Sequence, residues 1–284
     1  MLKSSTPLRY PGGKQKMAPY LKQIIKLNQL DKGLYAEPYM GGAGLALELL
    51  FSEKVYYLRL NDADSNVFSF WNSVLNETEA LCDLIMDTPV TIEEWEEQKK
   101  ILGDGTGVCD LKHGFAAFFL NRCNRSGILK GGPIGGKSQS GKWKIDVRYN
   151  KDELVKRIQR VSLYKTRIKV FNLDALDFLL EIEPDVKAHK SLVYLDPPYY
   201  QKGQVLYLNA YDSEDHKKVA DFMKGRYGEY NWIISYDNCP FISDLYQDLR
   251  STKQVLTYSV SSKPKAGEEL VFFSPSLIIP DGSC

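Results

Sequence analysis

A continuous apolar run, Ser191-Leu192-Val193-Tyr194-Leu195, stops abruptly at Asp196-Pro197-Pro198-Tyr199-Tyr200. No other feature of this chain restricts its fold as strongly. Four apolar residues in a row after Ser191, bounded by a turn, predict a strand buried on both faces, which a parallel sheet covered by helices requires. Ligands of such open sheets bind beyond the carboxyl ends of the strands, so an acid placed there faces a ligand. Two prolines stiffen the turn and remove two backbone donors, leaving carbonyls as acceptors. Asp196 and the Pro197 carbonyl are thereby suited to the two N–H groups of a planar amine, with Tyr199 offering a flat face to its ring. The bland alternative is a rigid strand-end turn with a capping Asp. The position directly after a buried strand weighs against it.

The rest of the chain supplies the remainder of such a sheet. Residues 14–27 predict an amphipathic helix. Residues 34–37 predict a strand running into the glycine turn Gly41, Gly42 and Gly44, followed by a helix over 45–51. Residues 55–60 predict a second strand ending at Asn61-Asp62, with Asp64 as cap of the next helix. From residue 167 the alternation resumes. Strands are expected at Ile168–Phe171, Ser191–Leu195 and 232–235, helices at 175–181 and about 241–249, and a final antiparallel pair at 253–260 and 269–274 around Lys263-Pro264-Lys265. The fold class is α/β, a Rossmann-like doubly wound sheet. Residues 1–65 and 166–284 read as the sheet domain, and residues 66–165 as a mostly helical insertion.

Within the insertion, residues 77–104 are acidic and helical, with Thr91 and Glu94 spaced as a capping box. Residues 126–144 carry six glycines in a long polar loop, and 151–161 return to helix. The net charge of +1 conceals an imbalance: residues 111–170 hold fifteen Lys and Arg against three acids, Asp146, Asp152 and Glu153. A basic block of this kind, interleaved with Asn, Gly and Trp143, predicts a nucleic-acid partner over a merely solvated helix face.

Five cysteines without a CxxC pair and three histidines suggest neither a zinc site nor a disulfide framework, so no metal is expected. No stretch reaches the roughly twenty apolar residues of a membrane span, and no signal peptide is read at the start. A cytoplasmic protein is expected. Gly131 to Ser138 matches the pattern G-x-x-x-x-G-K-S of phosphate-binding loops. Such a loop needs a strand before and a helix after it. Gly141 and Trp143 follow instead, and Pro133 sits inside, so a P-loop NTPase is a weak rival. A non-catalytic nucleic-acid-binding module is another, and leaves the Asp196 turn unexplained.

The ordered motifs Pro7-Leu8-Arg9-Tyr10-Pro11-Gly12-Gly13-Lys14, Glu37-Pro38-Tyr39-Met40-Gly41-Gly42-Ala43-Gly44 and Asp196-Pro197-Pro198-Tyr199 resemble the Dam-type DNA adenine methyltransferases over nearly the whole chain. The resemblance implies methyl transfer from S-adenosylmethionine to the N6 amine of adenine in double-stranded DNA, with S-adenosylhomocysteine as product and the base flipped out. Asp196, Pro197, Pro198 and Tyr199 are then catalytic. Tyr10, Lys14, Glu37, Pro38, Gly41, Gly42, Gly44, Asp62 and Asp196 would hold the cofactor, Lys14 through the methionine carboxylate and Asp62 through the ribose hydroxyls. Asp64 competes with Asp62 for that role. Asp174 matches the family's acid near the cofactor adenine, and equally a helix N-cap. Asn121, Arg122, Asn124, Arg125, Lys130, Lys137, Lys142 and Arg148 are the candidate DNA contacts. The chain departs from the family after Arg122, with Ser126-Gly127-Ile128 and a glycine loop, so the target sequence does not carry over. A cognate restriction endonuclease is compatible with the resemblance. RNA and a protein amide, which also present planar amines, are rival substrates; the motif order favours DNA over RNA, and the basic insertion disfavours the protein.

Overall fold

The structure, a computed structural model, describes residues 5–10, 12–104, 111–200, 211–258 and 265–280. Pro11 of the first motif, and Lys263 and Pro264 of the expected final turn, lie outside the described residues. Strands β1 (Gly33–Glu37), β2 (Val55–Asn61), β3 (Ile168–Phe171), β4 (Ser191–Leu195), β5 (Trp232–Asp237), β6 (Ser251–Tyr258) and β7 (Lys265–Phe273) form one sheet. Their order is β3-β2-β1-β4-β5-β7-β6. The first five are mutually parallel where they pair, and β7 runs antiparallel to both β5 and β6. Chain direction across the sheet reverses between β1 and β4. Crevices at such a switch point, outside the carboxyl ends, are where doubly wound sheets bind ligands.

Side chains alternate between two cores. Tyr35, Leu58, Tyr194, Ile233 and Val271 face α1 (Ala18–Leu27), α2 (Gly44–Phe51) and α3 (Ser65–Asn76). Ala36, Val193, Leu195, Ile234 and Phe272 face α8 (Ala175–Ala188), with α9 (Ser213–Lys224) and α10 (Pro240–Leu245). The first core extends without a break into α4 (Thr78–Asp87), α5 (Ile92–Asp104), α6 (Leu111–Cys123) and α7 (Lys151–Ser162). Phe70 of α3 stacks on Phe118 of α6, with centroids 5.5 Å apart. Residues 66–165 thus share a core with the sheet's own helices.

The expected elements are present with shifted ends. The helix predicted over 14–27 begins as a 3-10 turn, Lys14–Met17. Asp64 caps α3 by accepting from the Asn66 amide. Thr91 accepts from the Glu94 amide, one arm of the expected box. α8 runs past Pro184 to Ala188, because Ile182, Glu183 and Val186 remain buried. α6 and α9 carry no sequence expectation. α6 is buried on nearly every side, so it shows no amphipathic period to read. Gly131 to Ser138 has neither a strand before it nor a helix after it, and Lys137 pairs with Glu96 at 2.8 Å, so it is not a phosphate-binding loop. No described helix is long and apolar enough to cross a membrane.

Candidate functional site

Strand alternation builds the site. On the face that carries Tyr35, Tyr194, Ile233 and Val271, the residues nearest the carboxyl edge become polar: Glu37 on β1, Asp196 just beyond β4, Ser235 and Asp237 on β5, and Glu269 on β7. The β5–β7 register sets Asp237 opposite Glu269. Four acids therefore line one edge of one face.

Lys14 enters this row from the N-terminal 3-10 turn. Its Nζ donates to Asp196 Oδ2 at 2.8 Å and to the Tyr199 hydroxyl at 2.7 Å, and lies 3.2 Å from Glu269 Oε1. The Tyr199 hydroxyl also donates to Glu269. Burial opposes the Lys14 charge, but Asp196 and Glu269 outweigh it and hold the ammonium well above the ordinary lysine range. Burial also pushes the Glu269 carboxyl up, against the pull of Lys14. Ser235 Oγ donates to Asp196 Oδ1 at 3.2 Å and pairs with the Tyr194 hydroxyl at 2.9 Å. Each Asp196 oxygen thus has one anchor, and the side chain keeps 23% of its surface open. A carboxylate offers about four lone-pair sites, so two remain for a ligand. The Lys14 ammonium is committed to Asp196, Tyr199 and Glu269.

A second group surrounds the glycine turn. The Gly41 amide donates to Asp62 Oδ2 at 2.9 Å, and the Asp64 amide to Asp62 Oδ1 at 3.0 Å. Burial and the nearby Asp64 raise the Asp62 carboxyl to about 7 despite these bonds. Gly41 has φ +43°, and a Cβ there would lie 2.6 Å from the Tyr10 ring. Only glycine permits that approach. A Cβ on Gly42 would also meet Tyr10, and Gly44 opens α2. Trp71 Nε1 donates to the Gly41 carbonyl at 2.9 Å, and Asn61 holds the Pro38 and Leu173 carbonyls at 3.0 Å each. Glu37 accepts from the Tyr35 hydroxyl at 3.0 Å, yet burial raises it to about 8. Asp174 is exposed and caps α8 through the Leu176 amide.

The insertion meets this region through its asparagines. Asn121 accepts from the Arg9 amide at 2.8 Å and donates to the Arg9 carbonyl at 2.7 Å and the Gly127 carbonyl at 2.9 Å. Asn124 is fully buried, donates to the Ile128 and Leu129 carbonyls, and accepts from Trp95 Nε1. Both amides are spent inside the protein. Arg122 is held by the Arg148 and Pro7 carbonyls. Arg125, Lys130, Lys137, Lys142 and Arg148 are exposed, and Lys142 lies 5.4 Å from the Trp143 ring centroid.

Sequence reasoning missed Ser235, Glu269 and Trp71 as site components, and Arg9 and Arg157 as neighbours of the DNA-contact candidates. Arg9 reaches the Asn124 carbonyl and Arg157 the Thr6 carbonyl. An acid inside the apolar strand 269–273 was the available signal for Glu269, but the face it takes depends on a register that only pairing fixes.

A parallel sheet with an antiparallel strand inserted beside β5, a glycine turn after β1, an acid after β2 and an Asp-Pro-Pro-Tyr turn after β4 define the class of S-adenosylmethionine-dependent methyltransferase folds. Within that class the chain belongs to the D12 class N6 adenine-specific DNA methyltransferases, whose family profile matches residues 10–260. It is an adenine-N6 DNA methyltransferase, in agreement with the Dam-type resemblance. A search of curated proteins finds no match to the chain.

Proposed function

We propose that the protein methylates adenine N6 at a specific short site in duplex DNA, taking the methyl group from S-adenosylmethionine by direct in-line transfer to a flipped-out base. The observation that carries this reading is Asp196, anchored on both oxygens and still partly open, at the sheet's switch point beside the glycine turn. The residues around that turn fit the cofactor. Glu37, Asp62 and the Tyr10 ring suit a cationic sulfonium with ribose hydroxyls. When bound, S-adenosylmethionine supplies an electrophilic methyl group and leaves as S-adenosylhomocysteine.

The protein's own residues do the rest. The lone pair of the adenine amine is delocalised into the ring, which makes it a poor nucleophile. Asp196 and the Pro197 carbonyl accept its two hydrogens and favour a tetrahedral nitrogen. Positive charge grows on that nitrogen as the N–C bond forms and the S–C bond breaks; fixed acceptors stabilise it without reorganising, and loss of one N–H proton leaves neutral N6-methyladenine. Tyr199, tethered through its hydroxyl, gives the ring a plane to lie against. Flipping the base costs roughly a few kcal/mol.

Residues 66–165 form the DNA-recognition part, built on a core shared with the sheet. Arg125, Lys130, Lys137, Lys142 and Arg148 serve phosphates or base edges, and Arg9, Arg122 and Arg157 add positive potential behind them. Asn121 and Asn124 position this surface. We place the protein in the cytoplasm, with a cognate restriction endonuclease as a partner that site specificity would suit. Sequencing that detects modified bases, on DNA incubated with the purified protein and S-adenosylmethionine, tests the reading. Methyladenine at one recurring short sequence supports it. Scattered methyladenine removes the site specificity, and none at all overturns the proposal.

A further inference from the structure

Glu269 sits on β7 with 1% of its side chain exposed, among neighbours that are apolar on the same face: Val271 and Phe273. A carboxylate so deeply placed is costly unless paired, and a well-packed apolar side chain would serve stability as well or better. What it touches is the methylation site. The Lys14 ammonium has three hydrogens and four acceptors around it: Asp196 Oδ2 at 2.8 Å, the Tyr199 hydroxyl at 2.7 Å, Glu269 Oε1 at 3.2 Å and the Gly12 carbonyl at 3.3 Å. One buried cation is shared by two carboxylates.

We propose that Glu269 is a positioning residue for methyl transfer: by sharing Lys14 and holding the Tyr199 hydroxyl, it keeps the site net negative and its aromatic plane fixed. The inference rests on the reading that Asp196 receives the adenine amine. With Lys14 and Asp196 alone, the growing positive charge on the amine would meet a neutral ion pair. With Glu269 present, the group of three carries one excess negative charge when both carboxyls are ionised. The preorganised field then opposes less of the charge that the reaction creates. The Tyr199 ring gains from the same contact. Its hydroxyl is held from two sides, so its plane does not depend on the base arriving. Asp237, opposite Glu269 on β5, accepts from the Tyr200 amide at 3.2 Å and thus steadies the next residue of the turn.

The test compares Glu269→Gln with wild type in single-turnover methylation of duplex DNA, alongside DNA affinity and binding of S-adenosylhomocysteine. The expected result is a rate lower by about 10- to 100-fold, with both affinities within about twofold, since the lost term belongs to the transition state. In a Lys14→Met background, Glu269→Gln should change the rate by less than about threefold, because without the cation the buried Glu269 carboxyl, repelled by Asp196, takes up a proton, and Gln keeps an oxygen to accept from the Tyr199 hydroxyl. A wild-type rate in Glu269→Gln, or an equal loss in both backgrounds, overturns the inference. If Glu269→Gln alone does not fold, the Lys14→Met, Glu269→Gln pair removes both buried charges together. That pair should fold and stay within about threefold of Lys14→Met, and a larger deficit is equally fatal. Wild-type protein that leaves adenine unmethylated in the same assay breaks the parent reading instead.

Discussion

The edge of the sheet and the glycine-rich loop are both dense in charge, yet they are built on opposite terms. At the edge, Lys14, Glu37 and Glu269 are buried, and hydrogen bonds or ion pairs hold them and Asp196 in place. In the loop, Arg125, Lys130, Lys142, Trp143 and Arg148 face outward, with Trp143 60% exposed. The asparagines beneath them are the buried, saturated members. Low dielectric makes the first region's charges strong and intolerant of change. Solvent makes those of the second weak singly and useful in number. Chemistry that must stabilise a charge at one atom suits the former, and gripping a polyanion suits the latter.

The sharpest break of this comparison is at Asp196. Asp196→Asn keeps the shape but loses the charge that faces the amine. It should lower the single-turnover methylation rate by at least about a thousandfold, roughly 4 kcal/mol. Its melting transition should stay cooperative, and its affinity for DNA within a few fold. Near-wild-type methylation would mean that the buried edge is structural only.

Asp196 was legible because its motif is local: an apolar strand, a stop, two prolines and a tyrosine occupy nine consecutive residues. The glycine turn and Asp62 were legible for the same reason, each ending a readable strand. Glu269 was not, because it meets Lys14 across the sheet from a separate strand, and sequence period alone does not give the face. α6 was hidden by being apolar on all sides. Asn121 and Asn124 read as base contacts because their type suits adenine edges, whereas the fold spends them on the carbonyls of Arg9, Gly127, Ile128 and Leu129. Residue type announces what a side chain can bond, and only packing decides with what.

Asn121 sharpens the comparison from the other side. If its amide clamps the Arg9 backbone, Asn121→Ala leaves a buried N–H and two carbonyls without their partner. Stability to urea should fall by about 3 kcal/mol. DNA binding should weaken only as far as folding does. A stable variant with selectively lost DNA affinity would return Asn121 to the readout surface.

Glu37 gives a pH test of the buried edge. Its carboxyl is raised to about 8 from its ordinary 4.5, chiefly by burial, so the folded state holds this proton more tightly than the unfolded chain. The associated stability is present at low pH and is lost as pH climbs from about 4.5 towards 8, by up to about 1.4 kcal/mol per unit. Asp62, raised to about 7 by burial, adds a slope of the same sign that ends earlier. In urea melts between pH 6 and 8, Glu37→Gln should show a flatter decline than wild type. Equal slopes would place the Glu37 carboxyl in a wetter setting than its surroundings indicate.

The smallest effects belong to the loop. Removing one phosphate contact lowers the slope of log affinity against log salt by about one, because fewer counterions are released. Lys130→Ala and Lys142→Ala should each weaken DNA binding by about three- to tenfold at low salt and flatten that slope, while saturating DNA restores the methylation rate. Trp143 supplies an independent readout, since Trp71, Trp95 and Trp232 are all buried and the exposed indole dominates any change on binding. DNA should alter its fluorescence in wild type, and Trp143→Phe should abolish the change. If salt slope and fluorescence both stay at wild-type values when the lysines are removed, the grip lies elsewhere. Arg9, Arg122 and Arg157, held between the N-terminal segment and the insertion, are then the place to look, because they add positive charge where those two parts meet.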